Sequence, residues 1–376
     1  NKEIENYSFT GVDYIFTISK PFKQEDLSFL DPFPGLLEAL FYADEWPGGL
    51  IFNSKHAAFY PLHSNSQSKA LQKKIDEKTM FNKEGHSSFI YHLSDLHLGP
   101  KKKLKAVSNL LDSLDECDQY AHSPHSKQVF ITGDLMNSPN TKNMYQANSF
   151  MTMIRKRYKA DITFVLGNHD MIVKGLSIGG RQRTKVIAYL LGEKIKVIEK
   201  DKIILVKIDS NAGGNLARGM ITRRQLDQID SELAGIENLE DYTIVVLLHH
   251  HVFKVSKSDF LKIRWREKSI FGSILDKSKA LVDANMFATW LQQRHIKYVL
   301  HGHKHVPYFM NKNGTYYISA GSATGGLKES ESHYYSYNVL RYDYMDKKMK
   351  TCLIFYDDNK KAERKRVEVY LMEEDK

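Results

Sequence analysis

The chain has 376 residues, 42% hydrophobic and 26% charged, a balance that excludes wholesale disorder and fibrous repeats and leaves room for roughly two or three folded units. No apolar run reaches the ~20 residues of a membrane helix, and two cysteines, Cys117 and Cys352, exclude a disulfide framework or a thiolate metal knot. The net charge of +9 suits anionic partners without naming one.

Basic runs such as Lys101-Lys102-Lys103 and Lys360-Lys361 read as solvated surface before they read as a nucleic-acid contact. A reducing, cytoplasmic compartment is the expectation, with no secretory leader visible at Asn1.

In chain order, residues 1–86 form an N-terminal extension of unassigned role. They open on a strand-like alternation, Val12, Tyr14, Phe16 and Ile18, and a second strand is expected within 50–62. A polar connector follows, with a short helix near 69–78. From Ser87 the texture changes to short apolar runs, at 89–93, 128–132, 162–166, 203–208, 243–248, 297–300 and 315–319, which predict buried strands. Helices are expected between them at 102–118, 143–158, 222–233 and 280–293. Alternating strands and helices predict an α/β domain over 87–330, with ligand sites beyond the strand ends. Residues 331–376 are expected to complete that domain with antiparallel strands near 336–340, 350–356 and 366–372.

Five motifs end or follow the apolar runs: Asp95-Leu96-His97, Gly133-Asp134, Gly167-Asn168-His169-Asp170, His249-His250-His251 and Gly302-His303-Lys304-His305. In extended chain, side chains two apart share a side, so Asp95 and His97 can address one cation while Leu96 enters the core, and His303 and His305 repeat the relation. Imidazole with carboxylate suits Mn, Fe, Zn, Co or Ni better than Ca or Mg. Candidate ligands outnumber one tetrahedral shell, so two divalent transition-metal ions are expected, with Asp134 able to bridge them. Two such ions with two carboxylates and a bridging hydroxide leave a positive centre, suited to hydrolysing a phosphoester.

As a set, DLH, GD, GNHD, HH and GHKH resemble the blocks of the calcineurin-like metallophosphoesterase superfamily, over about residues 88 to 325. The resemblance implies a four-layer α/β/β/α sandwich with mixed sheets. It implies that Asp95, His97, Asp134 and His305 hold one ion, and that Asn168, His250 and His303 hold the other. In the histidine triplet, family members carry the ligand two before a proline. Val252 stands at the proline position, which points to His250 with His249 as the alternative; His251 is then a supporting, surface or substrate-facing residue. His169 corresponds to the family histidine that contacts phosphate and protonates the leaving group. Relatives often orient it with a carboxylate three residues after the Gly-Asp aspartate, where this chain has Asn137. Asp170 reads equally as a supporting partner or a turn residue.

The absence of Gly-Asp-x-x-Asp-Arg-Gly disfavours the Ser/Thr protein phosphatases, and Asn137 in place of a tyrosine disfavours purple acid phosphatases. The stretches around Ile208-Asp209-Ser210 and Ile318 to Ala323 resemble the class III cyclic nucleotide phosphodiesterases. The expectation is a phosphodiesterase acting on a small or nucleotide-containing phosphoester. Alternatives are a nuclease acting on DNA or RNA, and a regulatory module built on residues 1–86 with a vestigial site. Lys174, Arg181, Arg183 and Lys185 read as a solvated loop or as a contact to a second phosphate.

Overall fold

The computed structural model describes residues 14–16, 50–53, 58–61, 87–99, 103–118, 126–173, 176–177, 192–212, 218–253, 281–305, 307–324, 334–357 and 367–372. The helix expected near 69–78 and the basic positions Lys101, Lys102, Lys174, Arg181, Arg183, Lys185, Lys360 and Lys361 lie outside them. In the N-terminal extension, β1 (Tyr14–Phe16), β2 (Leu50–Asn53) and β3 (Ala58–Pro61) pair antiparallel. The second expected strand is thus two strands.

The next elements are β4 (Ser87–Leu93), α1 (Lys103–Asp118), β5 (Lys127–Thr132), α2 (Thr141–Tyr158), β6 (Asp161–Val165) and a single turn, α3 (Asn168–Met171). A small hairpin, β7 (Ile172–Val173) with β8 (Leu176–Ser177), follows. Then come β9 (Ile195–Ile198), β10 (Ile203–Lys207), α4 (Arg223–Leu233), β11 (Thr243–Leu247), α5 (Ala284–Gln293), β12 (Tyr298–His301), β13 (Pro307–Lys312) and β14 (Thr315–Ala320). The chain closes on β15 (Tyr334–Asp343), β16 (Lys348–Asp357) and β17 (Val367–Met372).

Two six-stranded mixed sheets result, ordered β17-β16-β15-β4-β5-β6 and β13-β14-β12-β11-β10-β9. Strands β4, β5 and β6 run parallel, as do β10, β11, β12 and β14; β15 pairs antiparallel with β4. The edge strands β9 and β13, which pair antiparallel with β10 and β14, are additions to the predicted set.

The period-2 alternation sorts side chains into the four expected layers. Tyr91, Leu93, Val129 and Ile131 pack with Leu110, Phe150 and Ile154 of α1 and α2. Val206, Val246 and Val299 pack with Leu226, Phe287 and Leu291 of α4 and α5. Their alternates, Ile90, Phe130, Leu205, Val245, Leu247 and Leu300, meet in a third cluster between the sheets. Burying both faces of both sheets explains why these strands read as continuous apolar runs.

Pairings Leu93↔Ile131, Thr132↔Val165, Lys207↔Leu247 and Leu247↔Leu300 bring the parallel strands to a common level at their carboxyl ends. The loops after β4, β5, β6, β11 and β12 therefore emerge together. Among the described residues, no helix is long and apolar enough to cross a membrane.

Candidate metal centre

Each of the five motifs lies on one of these loops, and the backbone there is not extended. Asp95 (φ 53°), His97 (φ 45°), Asp134 (φ 50°), His303 (φ 77°) and His305 (φ 56°) are all left-handed. The expected mechanism, same-side projection along a strand, is therefore corrected: Asp95 and His97 converge through two left-handed turns, although Leu96 does enter the core. Such conformations cost of order 1–3 kcal/mol each and persist only where tertiary contacts impose them. Here those contacts are visible. Asp95 N–H donates to Gly133 O (3.0 Å), His97 N–H to Asp134 O (2.8 Å) and Leu98 N–H to Leu135 O (2.9 Å).

The donor atoms gather in two groups. Around Asp95 Oδ1, His305 Nε2 lies at 3.1 Å and His97 Nε2 at 4.0 Å, and the two imidazole nitrogens are 3.2 Å apart. Around Asn168 Oδ1, His249 Nε2 lies at 3.0 Å and His303 Nδ1 at 3.1 Å, again with 3.1 Å between the nitrogens. Asp134 faces both groups, with Oδ2 3.7 Å from His97 Nε2 and Oδ1 3.5 Å from His249 Nε2.

These separations fit a shared cation. Donors at ~2.1 Å from a tetrahedral ion lie about 3.4 Å from one another. Asp95 Oδ1 is buried without a hydrogen-bond partner although His305 Nε2 is close. Two donors aimed at a common point, not at each other, produce that geometry. Three sets, Asp95 with His97 and His305, His97 with Asp134 and His169, and Asp95 with Asp134 and His249, each bring their ligand atoms within 4.8 Å of one another.

One placement differs from the expectation. His249, not His250, enters the cluster. Its Nδ1 lies 2.9 Å from Thr132 O, which leaves Nε2 as the atom presented to Asn168 and Asp134. His250 instead places Nδ1 2.8 Å from Ser210 Oγ and packs against the His303 ring, 4.4 Å between centroids. The alternation Val245, Leu247, His249 carries the inter-sheet face of β11 onward into the site, and His250 falls on the other side. His251 is buried and stacks on His303 at 5.7 Å.

His169 stands at the margin, its ring edge-on to His97 at 4.7 Å. Its Nδ1 lies 3.1 Å from the main-chain oxygen of Asn137, so the backbone of that residue performs the orienting role. Its backbone N–H donates to Asp134 Oδ1 (2.8 Å). Asp170 is fully buried and ties two loops together: Oδ2 accepts from Gly167 N–H (2.9 Å) and Leu135 N–H (3.2 Å), and Oδ1 from Met136 N–H (2.7 Å). Its position inside the GNHD block was legible, its load on both loops was not.

Electrostatics follow from burial of opposite charges. Burial alone would raise Asp134, but His249 beside it, then His97 and His169, hold it well below the carboxylate range. Burial, outweighing Asp134, lowers His97 to about 3 and keeps it neutral. Burial also lowers His249, yet Asp134 and then Asp95 outweigh it and raise the imidazole to about 9. An imidazolium there is the counter-charge to Asp134 that a bound cation would replace, releasing its proton. Burial, then the charge of Asp134, raises Asp170 to about 7 against the N–H groups of Gly167 and Met136.

The calcineurin-like phosphoesterase family model matches residues 90–307, more than half of the chain. The chain belongs to that family, whose members are metal-dependent phosphoester hydrolases. Among solved structures, similarity is found to phosphopantetheinyl hydrolase from Mycobacterium tuberculosis (14% identity, TM-score 0.41, covering 66% of this chain and 94% of that one). GAP50 of Plasmodium (12%, TM-score 0.44, covering 77% and 90%) and a putative 5'-nucleotidase from Staphylococcus aureus (16%, TM-score 0.37, covering 77% and 55%) are also similar. No curated protein matches the sequence.

Proposed function

We propose that the protein is a phosphodiesterase with a two-cation centre, acting on a small or nucleotide-containing phosphoester. The observation that carries this reading is the division of Asp134, whose two carboxylate oxygens face different donor groups, 3.7 Å from His97 and 3.5 Å from His249. Asp95, His97, Asp134 and His305 would hold one divalent transition-metal ion; Asp134, Asn168, His249 and His303 would hold the other. When bound, the ions would neutralise phosphate oxygens and acidify a water for attack on phosphorus.

The chain's own contribution to leaving-group chemistry is His169. Asn137 O accepts from Nδ1–H, so Nε2 is the nitrogen that exchanges a proton. A proton passed from Nε2 to the departing ester oxygen leaves the neutral tautomer that the carbonyl stabilises, which spares the reaction a free alkoxide. Asp134 Oδ1 holds His169 through its backbone N–H, so the proton donor moves with the ligand set.

The test is a Mn-supplemented screen of cyclic mononucleotides, dinucleotides, oligonucleotides and phosphate monoesters, with metal content measured on the same sample. Asp134→Ala and His303→Ala are expected to abolish turnover of bis-p-nitrophenyl phosphate, a loss of at least about a hundredfold, with circular dichroism unchanged. Full activity in both variants refutes the site. Preference for oligonucleotides with steep salt dependence would favour the nuclease alternative.

A further inference from the structure

Three consecutive carbonyls of the first metal loop, those of Ser94, Asp95 and Leu96, are each met by a donor from one short segment elsewhere in the chain. Ala323 N–H donates to Ser94 O (3.0 Å), Ser322 Oγ to Asp95 O (2.9 Å) and Thr324 Oγ1 to Leu96 O. All of these residues are buried. The segment lies on the crossing from β14 in one sheet to β15 in the other, and Lys103, the first residue of α1, donates from Nζ to Thr324 O (2.9 Å). The left-handed residues at 95 and 97 break the regular ladder: the N–H groups of Asp95 and His97 still reach the 133–134 loop, while the buried carbonyls of 94–96 take their partners from the 322–324 segment.

We propose that Ser322, Ala323 and Thr324 are positioning residues, a splint that builds the Asp95–His97–His305 half of the centre. The inference rests on the two-cation reading above. It follows from where the donors go: all three engage residues 94–96, which carry Asp95 and end at His97. The other half takes most of its support elsewhere, His249 from Thr132 O and the 166–168 turn from Asn211 Nδ2, which donates to Leu166 O (2.9 Å), and meets the splinted loop where His303 N–H donates to Asp95 Oδ2 (2.9 Å). Removing the two hydroxyls strands buried carbonyls and frees the loop to relax out of its left-handed conformation. One cation site should then fail before the other.

The experiment compares the wild type with Ser322→Ala, Thr324→Val and their combination, using Mn titration by calorimetry, bound Mn per chain and the Mn–Mn coupling signal in electron paramagnetic resonance. Wild type is expected to bind two ions. The double variant should keep one at wild-type affinity and bind the second at least ~10-fold more weakly, with the coupling signal lost; Thr324→Ser should recover most of the affinity. Equal weakening of both sites, or of neither, overturns the splint. Fewer than two ions on the wild type would overturn the two-cation reading instead.

Hydrogen exchange in EDTA then decides the splint on its own. The Asp95 and His97 amides should exchange at least ~10-fold faster in the single Ser322→Ala variant or the double, while Leu248 and Gly302 amides are unchanged. Unchanged exchange at Asp95 and His97 overturns it.

Discussion

His249 and His250 are chain neighbours in unlike surroundings, and the difference follows from one step of strand periodicity. His249 Nδ1 is held by Thr132 O, and its Nε2 meets Asn168 and Asp134; His250 is held by Ser210. His249→Ala should therefore lower Mn affinity at least ~10-fold and activity with it, the range expected when a ligand is lost. His250→Ala should leave affinity within a few-fold and lower thermal stability through the cavity it opens. Calorimetric Mn titration of both variants checks this, and the reverse ranking would restore His250 as the ligand. Counting back from Val252 points one residue past the histidine that enters the cluster, because a motif frame carries no information about faces. The continued alternation Val245, Leu247, His249 did carry it.

At the scale of elements, most of the fold was legible because buried strands and amphipathic helices write their periods into the chain. Runs at 89–93, 128–132 and 203–208 lie within a residue or two of β4, β5 and β10. The edge strands β9 and β13 were not legible. Ile195 to Val197 are only partly buried, so no continuous apolar run marks the strand, which pairs with β10 across a short connection that sets Ile198 opposite Ile203.

The loops behave likewise: Gly133 marked a turn, but not the crossing of three loops. It sits at φ 95°, and a Cβ there would lie 2.5 Å from His249 Nδ1 and 2.8 Å from the Gly167 nitrogen. Gly133→Ala should lower Mn affinity at least ~10-fold, since His249 must shift. Asn140→Ala is the matched comparison. It removes the α2 cap, where Asn140 Oδ1 accepts from Asn143 N–H (2.9 Å), and should cost about 1 kcal/mol of stability with Mn affinity unchanged. Equal Mn affinity in the two variants would mean that the loop crossing does not govern the centre.

Across the whole molecule, the two sheets meet through an apolar layer that ends in a polar one just below the metal loops. His92 and Asn338 face each other there: Asn338 Nδ2 lies 3.2 Å from His92 Nδ1 and donates to Ser319 O of the opposite sheet (3.0 Å). With Nδ1 as acceptor, His92 Nε2–H donates to Thr132 Oγ1 (3.0 Å), beside the carbonyl that orients His249.

Burial, with His301 adding to it against Asp95, lowers His92 from its ordinary value of 6.5 to about 3. The folded state therefore binds fewer protons than the unfolded chain between these values. Stability contributed by neutral His92 is complete above pH 6.5 and is lost as pH falls toward 3, by about 1.4 kcal/mol per pH unit. Urea unfolding from pH 7.5 to 4.5 in EDTA, which removes cation binding from the balance, should show a steeper loss, because His97 and His250, lowered by burial to about 3, and His301, lowered to about 4, add to the His92 contribution. His92→Gln should flatten it by about one proton while lowering stability at pH 7.5, because glutamine fills the space without titrating. An acid limb equally steep in both proteins would mean that His92 is not the buried neutral link between the sheets, and the coupling of the inter-sheet layer to the Thr132 carbonyl would fall with it.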